Sequence, residues 1–282
     1  MSNKFALCVG INQFKNYPSA TLQGCVNDAN DMSALLQDLL GFKDSDILKL
    51  TDQQATKARI MEALKTMVEG AKAGQYDTLV FSLSSHGTQV PDQDNDESDK
   101  ADEAFCPYDL DQQGSQWDPK HIIVDDELHH LFAQLPPAVL LEVYLDTCHS
   151  GTGLKAIDRL LDRTPRYLPP PSVAAFRDME NRRPRSLHTK MLEKNLVPPI
   201  LWAACRADQT SADAQIDNGW HGAFTYYFCQ EMRKTSNQGS RAQLLTLIRA
   251  DLTAGDYTQT PQLECNATAR KAVPQAELLV HP

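Results

Sequence analysis

The sequence predicts an α/β fold in which a doubly wound, mostly parallel β-sheet carries helices on both faces. Short apolar runs of strand length recur along the chain, and amphipathic segments with helical periodicity lie between them. Strands that alternate with such helices imply right-handed β–α–β crossovers. Because 282 residues suit one such unit with insertions, we predict a single domain over residues 1–282.

Four apolar runs predict the buried strands of this sheet. Each ends in Asn, Ser, Asp or Cys instead of continuing with helical period, as expected for strands that are covered on both faces. The runs are "KFALCVGI", "DTLVFSLSS", "AVLLEVYLD" and "PILWAAC".

The predicted helices follow apolar stripes of helical spacing. One stripe runs over residues 26–40 and stops at Gly41, a typical helix end. A second covers residues 60–71 after Thr56, which suits an N-cap. A third covers residues 128–135 and ends at two prolines. Two later helices are predicted within "GAFTYYFCQEM" and "AQLLTLIRADL".

Two segments do not fit the alternation and are predicted to be long surface loops. The first, at about residues 89–120, is acidic: residues 92–103 contain seven acids and one lysine. The second, at about residues 155–198, is rich in proline, and residues 155–194 contain ten Lys or Arg against five acids.

Composition narrows the classes of function. A net charge of −10 makes nucleic acids and anionic membranes poor partners, and no run of about 18 apolar residues or secretory signal is evident. The seven cysteines form no C-x-x-C pair, which argues against a disulfide framework and a zinc ribbon. We therefore expect a monomer in a reducing, cytoplasmic setting.

A cysteine and a histidine end two of the predicted strands. Cys148 follows "LLEVYLDT" and His86 follows "LVFSLSS", and ligands of such folds bind beyond the carboxyl ends of the strands. A thiol with the ordinary pKa of about 8.5 is ionised to only a few per cent at neutral pH, so a nucleophilic cysteine needs a base. His86 could supply one, and the backbone N–H groups of Gly87 and Cys148 could bind an oxyanion. Alternatively, both side chains are structural.

The residues around Cys148 and His86 resemble a known family. "SSHGTQ" and "DTCHSG" are similar to the His and Cys motifs of metacaspases and their prokaryotic relatives, the caspase-like cysteine peptidases of the C14 type. Further blocks resemble the family in the same order: "ALCVGINQF", "LQGCVNDANDM", "VPDQDNDESDKADEAFCPYD", "ACRADQTSADA" and "TPQL".

The resemblance implies a caspase-like fold and an endopeptidase that cuts after Arg or Lys in exposed segments of proteins or peptides. By motif position it implies a dyad of His86 and Cys148 and a pocket for the basic side chain formed by Asp28, Ser84 and Asp146. Carboxylates and a hydroxyl can hold a guanidinium by charge-assisted hydrogen bonds. Asp28 would otherwise be read as an acid at a helix N-terminus.

The resemblance also implies a Ca²⁺ site that regulates activity, whereas the chemistry itself needs no cofactor. The acids at the matching places are Asp125 and Asp126, with Asp99 or Asp102 from the acidic loop. Lys155 stands where the family tends to have an acid, and a lysine repels a cation, so Ca²⁺ dependence stays open. The pair at 125–126 could instead be N-terminal acids of a helix.

An enzyme that cuts after Arg or Lys could cut its own basic loop. We therefore expect activation by self-cleavage there, although a plain solvated linker is the alternative. The candidate residues are Arg159, Arg163, Arg166, Arg182, Arg183 and Arg185.

A second class of function remains open, in which the same fold binds basic peptides as a scaffold without turnover. Intact Cys and His motifs favour the enzyme. A nucleotide-binding protein is disfavoured because the chain lacks a glycine-rich phosphate loop.

Overall fold

The structure of the protein is a computed structural model. The structure describes residues 3–91, 101–149, 163–172 and 198–274. Within these ranges one six-stranded sheet forms the centre. In spatial order its strands are β14 (Gln262–Glu264), β11 (Ile200–Ala203), β9 (Leu140–Asp146), β3 (Thr78–Ser84), β1 (Lys4–Gly10) and β2 (Ile47–Thr51). Five of its strands are parallel, and β14 pairs antiparallel with β11 at one edge.

The smaller sheets contain β4 (Gly87–Pro91), β5 (Ala101–Phe105), β6 (Gln112–Gln113), β7 (Gln116–Trp117), β8 (Ile123–Val124), β10 (Thr164–Pro165), β12 (Ala212–Ile216) and β13 (Gly219–Gly222). The helices are α1 (Cys25–Leu40), α2 (Lys57–Lys72), α3 (Asp125–Phe132), α4 (Ala223–Thr235), α5 (Arg241–Ala254) and α6 (Ala267–Lys271).

Side chains alternate between two apolar cores, one on each face of the sheet. Along β1, Leu7 and Val9 join the core that packs against α2 and α3, whereas Ala6 and Cys8 join the core beneath α1, α4 and α5. The predicted doubly wound α/β fold with helices on both faces is confirmed.

The helix ends follow the local chemistry that the sequence predicts. The Thr56 hydroxyl accepts a hydrogen bond from the Arg59 backbone and caps α2, and α1 is followed by Gly41 at a φ of 67°, a left-handed conformation that glycine adopts readily. No helix in the described ranges is both long and apolar enough to cross a membrane.

The prediction of a long surface loop over about residues 89–120 is wrong for the strands that the structure describes there. β4 and β5 pair antiparallel, and β5 also pairs with β8, so these strands form a separate three-stranded sheet. The prediction of a surface loop over about 155–198 is also wrong for residues 163–168. Thr164 and Pro165 pair with β12, and Arg166 is fully buried.

Candidate active site

The site lies where two neighbouring central strands end. Ser84, the last residue of β3, is in register with Asp146, the last residue of β9. His86 and Cys148 each follow two residues later and are buried. Because parallel strands present their carboxyl ends at one edge, the sheet itself brings these two turns together.

A backbone carbonyl of the same chain occupies the space between the two turns. The oxygen of Arg166 accepts hydrogen bonds from the N–H of Gly87 at 2.9 Å and from the N–H of Cys148 at 3.2 Å. A Cβ on Gly87 would stand 2.0 Å from the Cys148 carbonyl oxygen, so only glycine allows this approach. Two converging N–H donors are what a developing oxyanion requires.

The segment that carries this carbonyl lies in the site as an extended peptide. Thr164 and Pro165 pair antiparallel with Asp213 and Ala212, and the Arg166 N–H donates to the Ser211 carbonyl at 3.0 Å. Beyond Arg166, the Leu168 N–H donates to the Gly87 carbonyl at 2.9 Å. Main-chain bonds of this kind hold peptides that add a strand to a sheet edge.

The guanidinium of Arg166 enters a pocket lined by three carboxylates. It lies 2.7 Å from Asp28, 3.2 Å from Asp146 and 2.9 Å from Asp213. The Arg166 side chain is 0% exposed, and the three acids are at most 2% exposed. A Cβ on Gly222 would stand 2.3 Å from both the Arg166 Nη1 and the Asp146 Oδ2, so this glycine leaves the room that the guanidinium fills.

Backbone and hydroxyl donors hold each pocket carboxylate in place. Asp28 accepts from the Gly222 N–H at 2.9 Å, and Asp213 accepts from the N–H groups of Gln23 and Gly24. Asp146 accepts from the Ser211 hydroxyl at 2.6 Å and from the N–H and hydroxyl of Thr225. The pocket is therefore preformed by α1, β9, β12 and the start of α4.

Burial and charge oppose each other in this pocket. Burial raises the pKa of Asp28 to about 7, although the nearby Arg166 works against the rise. Burial also disfavours the charged form of Arg166, but Asp146 and Asp28 outweigh it and hold the pKa of that guanidinium well above its usual value. The pocket thus favours a cation strongly.

The His86 ring is held by a carbonyl and an aromatic ring. Its Nε2 lies 2.8 Å from the Ala20 oxygen, and its ring centroid lies 5.2 Å from that of Phe14. Burial lowers the pKa of His86 to about 4, although the contact with Ala20 opposes the fall. A neutral ring must place its proton on Nε2 to donate to that carbonyl, so Nδ1 is left as the basic nitrogen.

The thiol of Cys148 points toward the backbone of Ser211. Its Sγ contacts the Ser211 N–H and lies 3.6 Å from the Ser211 carbonyl oxygen. The Sγ of Cys205 lies 3.8 Å away, and its hydrogen bond to Cys148, together with burial, raises the pKa of Cys205. Within the described ranges, His86 Nδ1 has no hydrogen-bond partner. The Arg166 backbone lies close enough to the His86 ring to raise its pKa, and the Arg166 carbonyl accepts from the Cys148 N–H, but in the described chain the thiol is not hydrogen-bonded to the imidazole.

The other predicted site residues are placed as follows. Ser84 is buried beside Asp146, but its hydroxyl makes no hydrogen bond to the guanidinium of Arg166 in the described chain. Asp102, Asp125 and Asp126 lie close together, each offering an oxygen within 4.8 Å of the others'. Five predicted site residues lie outside the described residues, as does Lys155: Asp99, Arg159, Arg182, Arg183 and Arg185.

Sequence reasoning missed Asp213 as a pocket residue. It lies in "ACRADQTSADA", which we matched to the family without assigning a role to the acid. An acid between alanines in a strand that buries both neighbours is a usable signal, since Ala212, Asp213 and Ala214 are all at most 8% exposed. Buried acids are rarely left without a cation.

Known proteins resemble this chain in sequence over most of its length. A family model described as the caspase domain of C14 peptidases matches residues 3–273. The chain is 34% identical to Metacaspase-1A of Aspergillus oryzae, covering 93% of this chain and 67% of the relative. It is also 34% identical to Metacaspase-1 of Botryotinia fuckeliana over 93% of this chain. The chain thus spans about two thirds of the length of these relatives.

Solved structures show the same architecture. A protein from Geobacter sulfurreducens superposes with a TM-score of 0.66 at 24% identity, covering 98% of this chain and 99% of that one. Caspase-1 from Spodoptera frugiperda superposes with a TM-score of 0.58 at 13% identity, covering 94% of this chain and 86% of that one.

Proposed function

Because the chain belongs to the caspase-domain family of C14 peptidases and is thus a cysteine-type endopeptidase, we propose that it cuts peptide bonds after Arg or Lys. The substrates are proteins or peptides that expose these residues. Cys148 is the nucleophile, and His86 is the base. Asp28, Asp146 and Asp213 bind the basic side chain.

One observation carries this proposal: Arg166 occupies the site as a substrate residue would. Its carbonyl oxygen accepts from the N–H groups of Gly87 and Cys148, while its guanidinium contacts three buried carboxylates. A pocket of this charge should reject neutral or acidic side chains, because the carboxylates would then stay buried without a cation.

The mechanism follows from these positions. After a rotation about its Cα–Cβ bond, the Cys148 sulfur attacks the carbonyl carbon and passes its proton to Nδ1 of His86. The oxyanion is held by the N–H groups of Gly87 and Cys148. When the C–N bond breaks, His86 returns the proton to the leaving amine. Water, deprotonated by His86, then hydrolyses the thioester and frees the sulfur.

Arginine should be preferred to lysine at the cut bond. The Nη1 of Arg166 faces Asp146, whereas its Nη2 faces Asp28 and Asp213. A planar guanidinium with separate donors matches this division, whereas an ammonium is a single point charge.

Peptide turnover tests the proposal. Coumarin peptides with Arg, Lys, citrulline or Asp before the dye should be cut in the order Arg, Lys, then the neutral and acidic residues. Citrulline is the matched neutral analogue of Arg. Cys148→Ala and His86→Ala should abolish release, and Tyr76→Leu, far from the site, is the control. Binding of Arg peptides without any Cys148-dependent release would support the scaffold function instead.

Self-cleavage at the Arg166–Tyr167 bond is the proposed regulation. Residues 164–168 fill the site, so the uncut chain blocks its own pocket. We expect wild-type protein to acquire a new N-terminus at Tyr167, which Cys148→Ala and Arg166→Gln protein should lack. Nicking of Cys148→Ala protein at the same bond, or wild-type protein that stays intact while it turns over peptides, would argue against it.

Calcium regulation is proposed at the acidic cluster of Asp102, Asp125 and Asp126. Three carboxylates within reach of one another fit the oxygen preference of Ca²⁺. A bound Ca²⁺ would neutralise these acids and stabilise β5, which pairs with β4 and so supports Gly87. Peptide turnover that rises with Ca²⁺ in wild-type but not in Asp126→Asn protein would support this site; identical curves would contradict it.

A further inference from the structure

A second arginine of the docked segment has its own binding site. Arg163 lies three residues before Arg166, so it would be the fourth residue ahead of a cut at the Arg166–Tyr167 bond. Its position is set by the strand pairing of Thr164 and Pro165 with Asp213 and Ala212. A substrate peptide bound in the same register would place its fourth residue at the same point.

Among the described residues, three groups contact the Arg163 guanidinium. Its Nη1 donates to the Asp256 carbonyl at 2.6 Å, and its Nη2 donates to the Gly255 carbonyl at 2.7 Å. Its Cζ lies 3.7 Å from the centroid of the Tyr257 ring. The guanidinium therefore uses both of its terminal nitrogens and one face, a match that neither an ammonium nor a neutral side chain repeats.

The two carbonyls stand just beyond the C-terminal end of a helix. The N–H of Gly255 and that of Tyr257 close the last turn of α5 by donating to Asp251 and Leu252. The carbonyls of Gly255 and Asp256 follow this turn at the negative end of the helix dipole. A cation is favoured there.

Gln259 links the turn of residues 255–257 to β12, the strand that pairs with Thr164 and Pro165. The Gln259 side chain accepts from the Ala212 N–H at 3.0 Å and donates to the Ala204 carbonyl at 3.0 Å. The distance between the two arginine sites is therefore fixed before a peptide arrives, which reduces the ordering cost of binding.

Building on the proposed cleavage after basic residues, we propose that Gly255, Asp256 and Tyr257 form a second recognition site for arginine, four residues ahead of the cut bond. We call it the fourth-position site. The preferred substrates then carry two arginines separated by two residues, as in the "RTPR" of residues 163–166. Lysine should be a weaker ligand because it cannot donate to both carbonyls in one plane.

Peptide series with one varied position test this site. The enzyme is Arg163→Ala, Arg166→Gln double-variant protein, in which the docked segment has lost both guanidinium groups. The substrates are coumarin peptides of sequence X-Thr-Pro-Arg, with Arg, Lys, citrulline or Ala at X. We expect kcat/KM to be about ten-fold higher with Arg than with Ala, mainly through KM, with Lys and citrulline in between.

A variant of the fourth-position site separates it from the cut site. In a Tyr257→Leu background the ratio of kcat/KM between the Arg and Ala peptides should fall toward one, and in a Tyr257→Phe background it should stay near the original value. Tyr76→Leu, a half-buried tyrosine remote from the site, is the matched control. Because each ratio is taken within one protein, a partial loss of folded enzyme does not change it.

The outcomes distinguish this inference from the proposed function. If the Arg and Ala peptides are cut equally well, the fourth-position site is disproved while cleavage after Arg stands. A ratio that survives Tyr257→Leu also disproves it. If no X-Thr-Pro-Arg peptide is cut by this double-variant protein or by self-cleaved wild-type protein, the proposed function fails and this inference fails with it.

Discussion

Two fully buried arginines of this protein, Arg241 and Arg166, contact different numbers of carboxylates. Arg241 binds one acid: its Nε and Nη2 each lie 2.9 Å from Glu142, and its Nη1 donates to the Ala269 carbonyl. Arg166 binds three acids. Both clusters use β9, since Glu142 and Asp146 lie on this strand.

The difference in charge separates a structural pair from a binding pocket. The Arg241 cluster balances one positive against one negative charge and joins β9 to α5, so it has no demand for a further ion. The Arg166 cluster holds three acids around one guanidinium that comes from a segment outside the core. An excess of buried negative charge gives the pocket affinity for a cation that can leave, as a substrate must.

Breaking the balanced pair should have the largest effect. Arg241→Met leaves Glu142 buried without its cation, and we expect the free energy of unfolding to fall by about 3–5 kcal/mol. Urea unfolding followed by circular dichroism measures this. The double variant Glu142→Leu, Arg241→Met should recover much of the loss; a double variant as unstable as the single one would contradict the balanced-pair interpretation.

Removing the other arginine should change activity more than stability. Arg166→Gln lets the segment leave and exposes the pocket acids to water, so we expect a loss of less than about 2 kcal/mol. Turnover of Arg peptides by the uncut protein should rise at least about ten-fold, because a larger fraction of the molecules has a pocket that is open to substrate. Initial rates of Arg166→Gln and wild-type protein, measured before any nick appears, test this. Equal initial rates would show that the docked segment is not inhibitory.

The pH dependence of KM should further distinguish the Arg166 pocket from the balanced Arg241 pair. Burial raises the pKa of Asp28 from about 3.8 to about 7, so its attraction for a guanidinium is weak at acidic pH and grows as pH rises through about 7. Because this pKa applies with Arg166 in the pocket, and removal of that cation raises the pKa of Asp28 further, we expect KM for Arg peptides to fall as pH rises above about 7, by up to about ten-fold per pH unit. Because the folded pKa of Asp28 lies above its unfolded value, the free energy of unfolding should decrease as pH rises from about 4 to about 7.

Asp28→Asn is the matched control for this pH effect. Its KM should no longer fall through about pH 7, and its urea unfolding should not show the wild-type loss of stability between acidic and neutral pH. The kcat profile, which reports the ionisation of His86, should keep its shape. A KM that still falls in Asp28→Asn protein would assign the titration to another group.

The smallest effect is expected at Ser84, whose hydroxyl does not bond to the guanidinium. Ser84→Ala should change kcat/KM for Arg peptides by less than about two-fold. A ten-fold loss would mean that the hydroxyl joins the pocket when a substrate replaces the docked segment.

The apolar patterns predicted the core of the fold, because strand and helix periodicity follows burial. The predicted strands and helices therefore correspond to β1, β3, β9 and β11 and to the principal helices. The insertion at about 89–120 was missed because the pairing of β4 with β5 depends on neighbouring strands rather than on apolar content. Local acidity there indicated a loop.

The site was predictable only in part, because its key contacts join distant segments. The positions of the strand ends predicted His86 and Cys148 as site residues. Asp28 and Asp146 were predicted from their positions in the family motifs. The pairing of Arg166 with Asp213 links positions 47 residues apart and has no local signal. The orientation of the Cys148 thiol toward Ser211 depends on packing and also could not be read from the sequence.

Residues 163–168 belong to the same chain as the site that they block. The block is therefore intramolecular, and its kinetics should be first order. The occupying arginine travels with its own pocket, so its local concentration is set by the tether and not by the number of molecules in solution. Dilution should not relieve the block, and the first cut should follow a rate constant that is independent of protein concentration. Only the rate of cleavage between separate chains should increase with enzyme concentration.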